Sequence, residues 1–369
     1  MRLLVASIFG VVFFTMGCAT GEPGPSVEPA AEPEDPAVLE WLAEAGDDVD
    51  HHPQLRWGFV VADRGDGTSL VFGGSERGEF SGGLMDDLWS VDANTSPAAF
   101  TKLDATGPQA RYCGCAAYDT MREQALVVGG WANFSEQGAP IMFAETWRYD
   151  ESTKQYTEIT ASTSPDSAYG CSMVYVPGDD VFILFGGGKE SGARSDETWR
   201  FTPSTQTWDQ LDTGALAPSG RYDAGMVFIP GSRELLLFAG FDIDLQGDLW
   251  RFDLDNNVWR EVELDGDAPA ARRVPWMRAA ADGSEVVFGF GAAGDVAVLD
   301  QPHQDLWSYS PSDDVISTLS PAGDVPAARG YTMALPGGEG EVGLLLGGFD
   351  GFNPVGNYFR LQAPEDSGF

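Results

Sequence analysis

Histidine is nearly missing from this chain, with 3 among 369 residues. So few imidazoles leave a zinc or copper centre without ligands, and no cofactor is expected. His51, His52 and His303 belong to no recognisable nucleophile–base constellation, which speaks against an enzyme of the cysteine or serine type. Basic residues are also scarce: 21 Lys and Arg stand against 57 Asp and Glu, for a formal charge of −36. The acids are spread along the chain, so its surface repels nucleic acid and anionic membranes. Solubility or adaptation to salt accounts for that charge; binding of cations or basic partners is the sharper alternative. Asp242, Asp244 and Asp248, like Asp63 and Asp66, would suit calcium chemically but match no EF-hand loop, and they read as solvated turns. Long hydrophobic runs are absent beyond the first few residues. The run Leu3 to Phe14 is short for a membrane span.

That run follows Arg2 and precedes Gly17-Cys18, the layout of an export signal over residues 1–17. A small residue directly before cysteine resembles a bacterial lipobox, although Thr15 and Met16 fit it less well. Lipidation of Cys18 is the expectation, and ordinary secretion the alternative. Ala19 after the cysteine favours the outer membrane, with the protein facing the periplasm or the cell surface. Residues 18–36, rich in Pro, Glu and Ala, read as an extended, solvated tether.

Residues 37–369 repeat themselves. Pro-x-x-Arg recurs at Pro53/Arg56, Pro108/Arg111, Pro218/Arg221, Pro269/Arg272 and Pro326/Arg329, and Pro165 keeps the place with Ala168 where arginine would stand. The copies lie roughly fifty to sixty residues apart, a period typical of propellers and solenoids. Each unit continues with an apolar run into glycine, as in Leu70-Val71-Phe72-Gly73-Gly74. An acid-x-Trp pair follows at Asp87/Trp89, Glu145/Trp147, Glu197/Trp199, Asp248/Trp250 and Asp305/Trp307, with Asn357/Phe359 in the sixth place. Most units end on a short run with an aromatic: Phe100, Tyr156, Trp208 and Trp259, with Val315 in the fifth. Short β-rich runs broken by Gly, Pro, Asp and Ser read as antiparallel meanders. Each indole offers a large apolar body to a neighbouring sheet.

These landmarks resemble the kelch repeat over about residues 38–362. The Gly-His and Trp-Asp dipeptides of the WD40 alternative do not recur. The resemblance implies an all-β, six-bladed kelch-type β-propeller, each unit a four-stranded blade. The sixth unit runs out of chain before its fourth strand. Val38 to Leu42 stands where that strand would be supplied, so an N-terminal strand is expected to complete the last blade; a short helix over Ala37 to Ala45 is the competing reading. Cys113, Cys115 and Cys171 fall on equivalent innermost strands of adjacent blades. One cross-blade disulfide or three buried thiols are both compatible with the spacing, and the pairing stays open.

Strand order places the Pro-x-x-Arg turns and the loops after the glycines on one face of the disc. Arg56, Arg111, Arg221, Arg272 and Arg329 would gather at the channel mouth as an anion trap, with Arg273 shaping it. The alternative is that each guanidinium serves the repeat, bonded to loop carbonyls or a neighbouring acid. Trp131, Phe241 and Phe349 directly follow the glycines and would stack on sugar rings or anchor a peptide, unless they pack the loops down. The leading functional expectation is a non-enzymatic module, monomeric, binding a protein or glycan, in one reading an acidic one, and touching the membrane only through its lipid. The alternatives are an enzyme resembling sialic-acid mutarotase, with Glu76, Glu79, Glu190 or Asp350 moving protons, and a structural subunit of an envelope complex.

Overall fold

A computed structural model of the protein describes residues 39–44, 53, 56–76, 83–134, 140–264, 267–294, 301–338, 340–350, 354–355, 357–364 and 368–369. The export signal, Cys18 and the tether lie outside them, as do His51, His52 and Glu79.

Each of the first five repeats folds as one four-stranded antiparallel sheet in chain order. Blade one comprises Val60–Asp63, Thr68–Phe72, Leu88–Asp92 and Ala99–Leu103. Blade two comprises Cys115–Asp119, Gln124–Phe134, Pro140–Asp150 and Gln155–Ile159. Blades three and four begin at Ser172–Val176 and Gly225–Ile229. Blades five and six begin at Trp276–Ala279 and Met333–Leu335. Every first strand contacts the first strand of the next blade, and that of the sixth contacts that of the first. The result is a closed six-bladed propeller.

The core is a set of wedges between blades. The wedge between blades two and three packs Leu126, Val128 and Ile159 against Phe182, Trp199 and Trp208. That between three and four sets Val174 and Ile183 against Leu237, Trp250 and Trp259. The indole of each acid-x-Trp pair thus presses on the preceding blade. On the fourth strands, the indoles of Trp208 and Trp259 reach across to hydrogen-bond Thr146 and Thr198, at 3.2 and 3.0 Å. Register corrects one assignment: in blade five Ile316, not Val315, stands opposite Tyr309, where the other blades place their aromatic, and Val315 is 52% exposed.

Closure comes from the N-terminus. The strand expected at 38–42 occupies Glu40–Glu44 and pairs antiparallel with Tyr358–Gln362, as the fourth strand of blade six. Trp41 lies opposite Leu361, the register place of Trp208 and Trp259 in their blades.

Cys115 opens the first strand of blade two and Cys171 precedes that of blade three. They form a disulfide with Cα atoms 5.6 Å apart, and Cys113 is a free thiol. Pleat direction decides the pairing: Cys115 and Cys171 both face the wedge that holds Met173, whereas Cys113 sits in the preceding turn at φ 54°. The bond spans 56 residues, and a loop of that length is worth about 4 kcal/mol by chain entropy. Reduction, or the double change Cys115→Ala with Cys171→Ala, is expected to lower Tm by on the order of 5 °C. An unchanged melting curve after verified reduction would contradict this.

Candidate functional site

The five repeat arginines do not line an open mouth. Their side chains are 0–3% exposed, each folded into its own blade. Arg56 binds both carboxylate oxygens of Asp87, at 2.6 and 3.0 Å, and donates to the Gly73 carbonyl at 2.9 Å. Arg221 does the same with Asp248 and the Ala239 carbonyl, and Arg272 with Asp305 and the Phe290 carbonyl. Arg111 reaches Glu145 at 2.8 Å and the Gly129 carbonyl at 2.9 Å. The indole two residues beyond each acid donates to that same carboxylate, for example Trp250 to Asp248 at 2.7 Å. Acid, arginine and tryptophan therefore form one unit that ties the start of a blade to the ends of its second and third strands. The anion-trap expectation is corrected: all five guanidiniums are buried and engaged inside their own blades, and Arg56, Arg221 and Arg272 are bidentate to their carboxylates.

Their backbones tie blades together. The second glycine of one blade donates its N–H to the arginine carbonyl of the next: Gly74 to Arg111, Gly187 to Arg221 and Gly240 to Arg272. Gly291 does so to Arg329, and Gly348 to Arg56 across the closure. Where blade three lacks its arginine, Lys189 bonds Glu197 at 3.1 Å and Asp166 at 2.8 Å. Where blade six has Asn357 for the acid, Arg329 donates to its Oδ1 at 2.8 Å. Burial lowers the pKa of Arg329 to about 10, and the charge of Asp350 offsets only part of that shift.

Three carboxylates show the electrostatics of the unit. Burial pushes Asp87, Asp248 and Asp305 up, but the arginine hydrogen bonds and charge, with the indole N–H, outweigh it and hold all three below the usual carboxylate range.

The residue after each arginine pairs with the residue after the glycines. Tyr112 exchanges backbone hydrogen bonds with Trp131, Tyr222 with Phe241, and Gly330 with Phe349. Their rings close the face of the channel as a collar. Trp57 packs on Tyr112 at 5.1 Å and on Tyr331 at 5.0 Å between centroids. Trp131 lies between Tyr112 and Tyr169, and Tyr169 packs on Tyr222. Arg273 fills the fifth place, over the rings of Phe241 and Tyr331. Trp131 and Phe241 keep partial exposure, whereas Phe349 is buried.

One position further on, a ring went unnoticed in the sequence. Gly58, Cys113, Gly170, Asp223, Val274 and Tyr331 stand two residues after the arginine positions, and all six have φ between 49° and 65°. Backbone hydrogen bonds of 2.6–2.7 Å run Cys113 to Gly58, Gly170 to Cys113, Asp223 to Gly170 and Val274 to Asp223. Left-handed backbone is costly for a β-branched residue such as Val274, and the shared hydrogen bonds hold it there. The glycines at two of the six places were the available signal.

A family model described as the KLHDC2/KLHL20/DRC7 Kelch-repeats domain matches residues 170–362. The chain belongs to the kelch-repeat family. Acyl-CoA-binding domain-containing protein 4 of Arabidopsis thaliana is 26% identical to this kelch propeller over 75% of the chain and 41% of its own length. Kelch domain-containing protein 3 of Bos taurus is 24% identical over 68% of the chain and 61% of its own length. The match thus spans only part of these relatives. The solved structure of YjhT superposes with a TM-score of 0.65 at 16% identity, covering 86% of this chain and 97% of that one. Among the acids considered for proton transfer in this kelch propeller, Glu76 and Glu190 are exposed and Asp350 is half-buried.

Proposed function

We propose that this kelch propeller is a non-enzymatic protein-binding module of a bacterial cell envelope, anchored by a lipid on Cys18. Its partner docks on the face of the Pro-x-x-Arg turns and post-glycine loops. The observation that carries the reading is the content of that face. Its loops differ from blade to blade and expose apolar side chains, Ile141 at 39% and Ile243 at 80%. Leu216 and Val325, on connections that cross the same face, are exposed as well. The kelch propeller is a fold suited to protein binding, a rigid scaffold with variable loops on one side. With the arginines engaged inside the blades, the net charge of −36 favours a basic partner over an acidic one. A cross-blade disulfide suits the oxidising compartment that the export signal implies.

A photo-crosslinking residue at position 243 in the full-length chain is expected to capture a discrete partner in intact cells. One at position 258, 43% exposed at the opposite end of a blade-four strand, is not. Equal capture from both positions, or none from 243, refutes the docking face. Cys18→Ser is expected to move the protein from the membrane fraction to the soluble one; continued membrane retention refutes the anchor.

A further inference from the structure

The axis of the propeller encloses a cavity of about 210 Å³, lined by the first strands of all six blades. The collar of Trp57, Tyr112, Tyr222, Arg273 and Tyr331 stands at one end, on the face proposed for protein binding. At the other end Arg278 of blade five reaches past blade six to the carboxylate of Asp63 in blade one. Met173, Met226, Met277 and Met333, on four successive blades, line the wall between, and Met173 and Met277 also pack into the wedges beside their blades. Unbranched thioether side chains adapt to a guest more readily than β-branched ones.

Polar groups collect at the collar end. Asp223 accepts a hydrogen bond from the Tyr331 hydroxyl at 3.2 Å, and the Arg273 guanidinium lies 3.9 Å from it. These two opposite charges are 7% and 0% exposed and balance each other. None of the guanidinium nitrogens of Arg273 has a hydrogen-bond partner among the described residues. Thr332 lines the cavity, is 2% exposed, and its hydroxyl also lacks a partner among them. Buried polar groups in native proteins are almost always satisfied, so this end of the cavity is built to receive one. A charged guest would leave an uncompensated charge beside the balanced pair, which is strongly unfavourable. An apolar cavity of roughly 150 Å³ already accepts benzene.

We infer that the axial cavity binds a small neutral molecule, about the size of a substituted benzene, whose apolar body lies along the methionine wall and whose single hydroxyl or carbonyl head bonds Thr332. The aromatic collar stands between this site and the proposed docking face.

Phenol, benzene and benzoate are the probes, titrated into the full-length protein by calorimetry and by thermal melting. Phenol is expected to bind saturably at one site and raise Tm, benzene to bind more weakly, and benzoate to bind at least about a hundredfold more weakly than phenol. Thr332→Val keeps the side-chain shape; it should weaken phenol about tenfold and leave benzene unchanged. Ala116→Leu, which fills the cavity from blade two, should abolish both at a Tm that still shows a folded protein. The inference falls if phenol and benzene bind equally, if Thr332→Val leaves phenol unaffected, or if phenol survives Ala116→Leu. It falls equally if no probe binds the wild type, which would leave the cavity a home for water only.

Discussion

Arg221→Ala is expected to destabilise the protein by about 3–5 kcal/mol, the cost of leaving one half of a buried ion pair alone. The change strips Asp248 of two hydrogen bonds and the Ala239 carbonyl of a third, at a side chain that is 1% exposed. Tm should fall by on the order of 5–10 °C. Arg221→Lys should recover only part of this, because an ammonium cannot span both carboxylate oxygens and the carbonyl together. The same unit sets the acid response. Asp87, Asp248 and Asp305 have depressed folded-state pKa values, so their stabilisation is fully present above the unfolded carboxylate value of about 3.9 and is lost as pH falls through the folded values. Wild-type Tm should be level above about pH 5 and fall below pH 4, and Asp248→Asn should flatten part of that fall. A wild-type Tm that holds steady to pH 2, or an Arg221→Ala protein that melts like wild type, would refute the structural role of the unit.

Removing residues 39–44 is expected to open the ring. Trp41, 1% exposed, packs edge-on against Trp276 at 6.1 Å and Phe290 at 5.7 Å, both of blade five. Glu44 accepts from Arg360 of blade six at 2.8 Å and from the Ala98 backbone of blade one at 2.8 Å. One short strand thus joins blades five, six and one, and Arg360 adds bonds to the Ala93 and Thr95 carbonyls. Trp41→Ala alone should cost about 3–5 kcal/mol through the cavity it leaves. The deletion should cost more and expose Tyr358–Gln362 as an unprotected edge, so aggregation on mild heating should accompany the drop in Tm. Adding a peptide of residues 37–46 should restore part of the lost stability. A deletion variant that melts and stays soluble like wild type would remove the latch.

Architecture was legible because the repeat encodes it redundantly: six units carry the same landmarks, and one degenerate copy changes nothing. The closure strand was legible as a missing element, though Trp41 as its packing residue was not. The site was harder. Sequence puts Arg221 and Asp248 nearly thirty positions apart and cannot say whether a guanidinium turns outward to the channel or back into its blade. Where one was missing, Lys189 compensated from a different loop, which no spacing rule anticipates. Sequence puts Trp131, Phe241 and Phe349 directly after the glycines, on the face of the arginine turns, but whether they face solvent or one another depends on how closely six blades converge.

By itself, then, the sequence determined the periodic content of this protein: strand length, turn positions, the number of blades and the residues that wedge them, all of which are local or repeated at fixed intervals. Tertiary structure alone decided what meets at the axis. Cys113, Asp223, Val274 and Tyr331 come from four different blades, and Cys115 finds Cys171 because one pleat faces another. Contacts around a closed ring depend on the angle between sheets, which no single repeat contains.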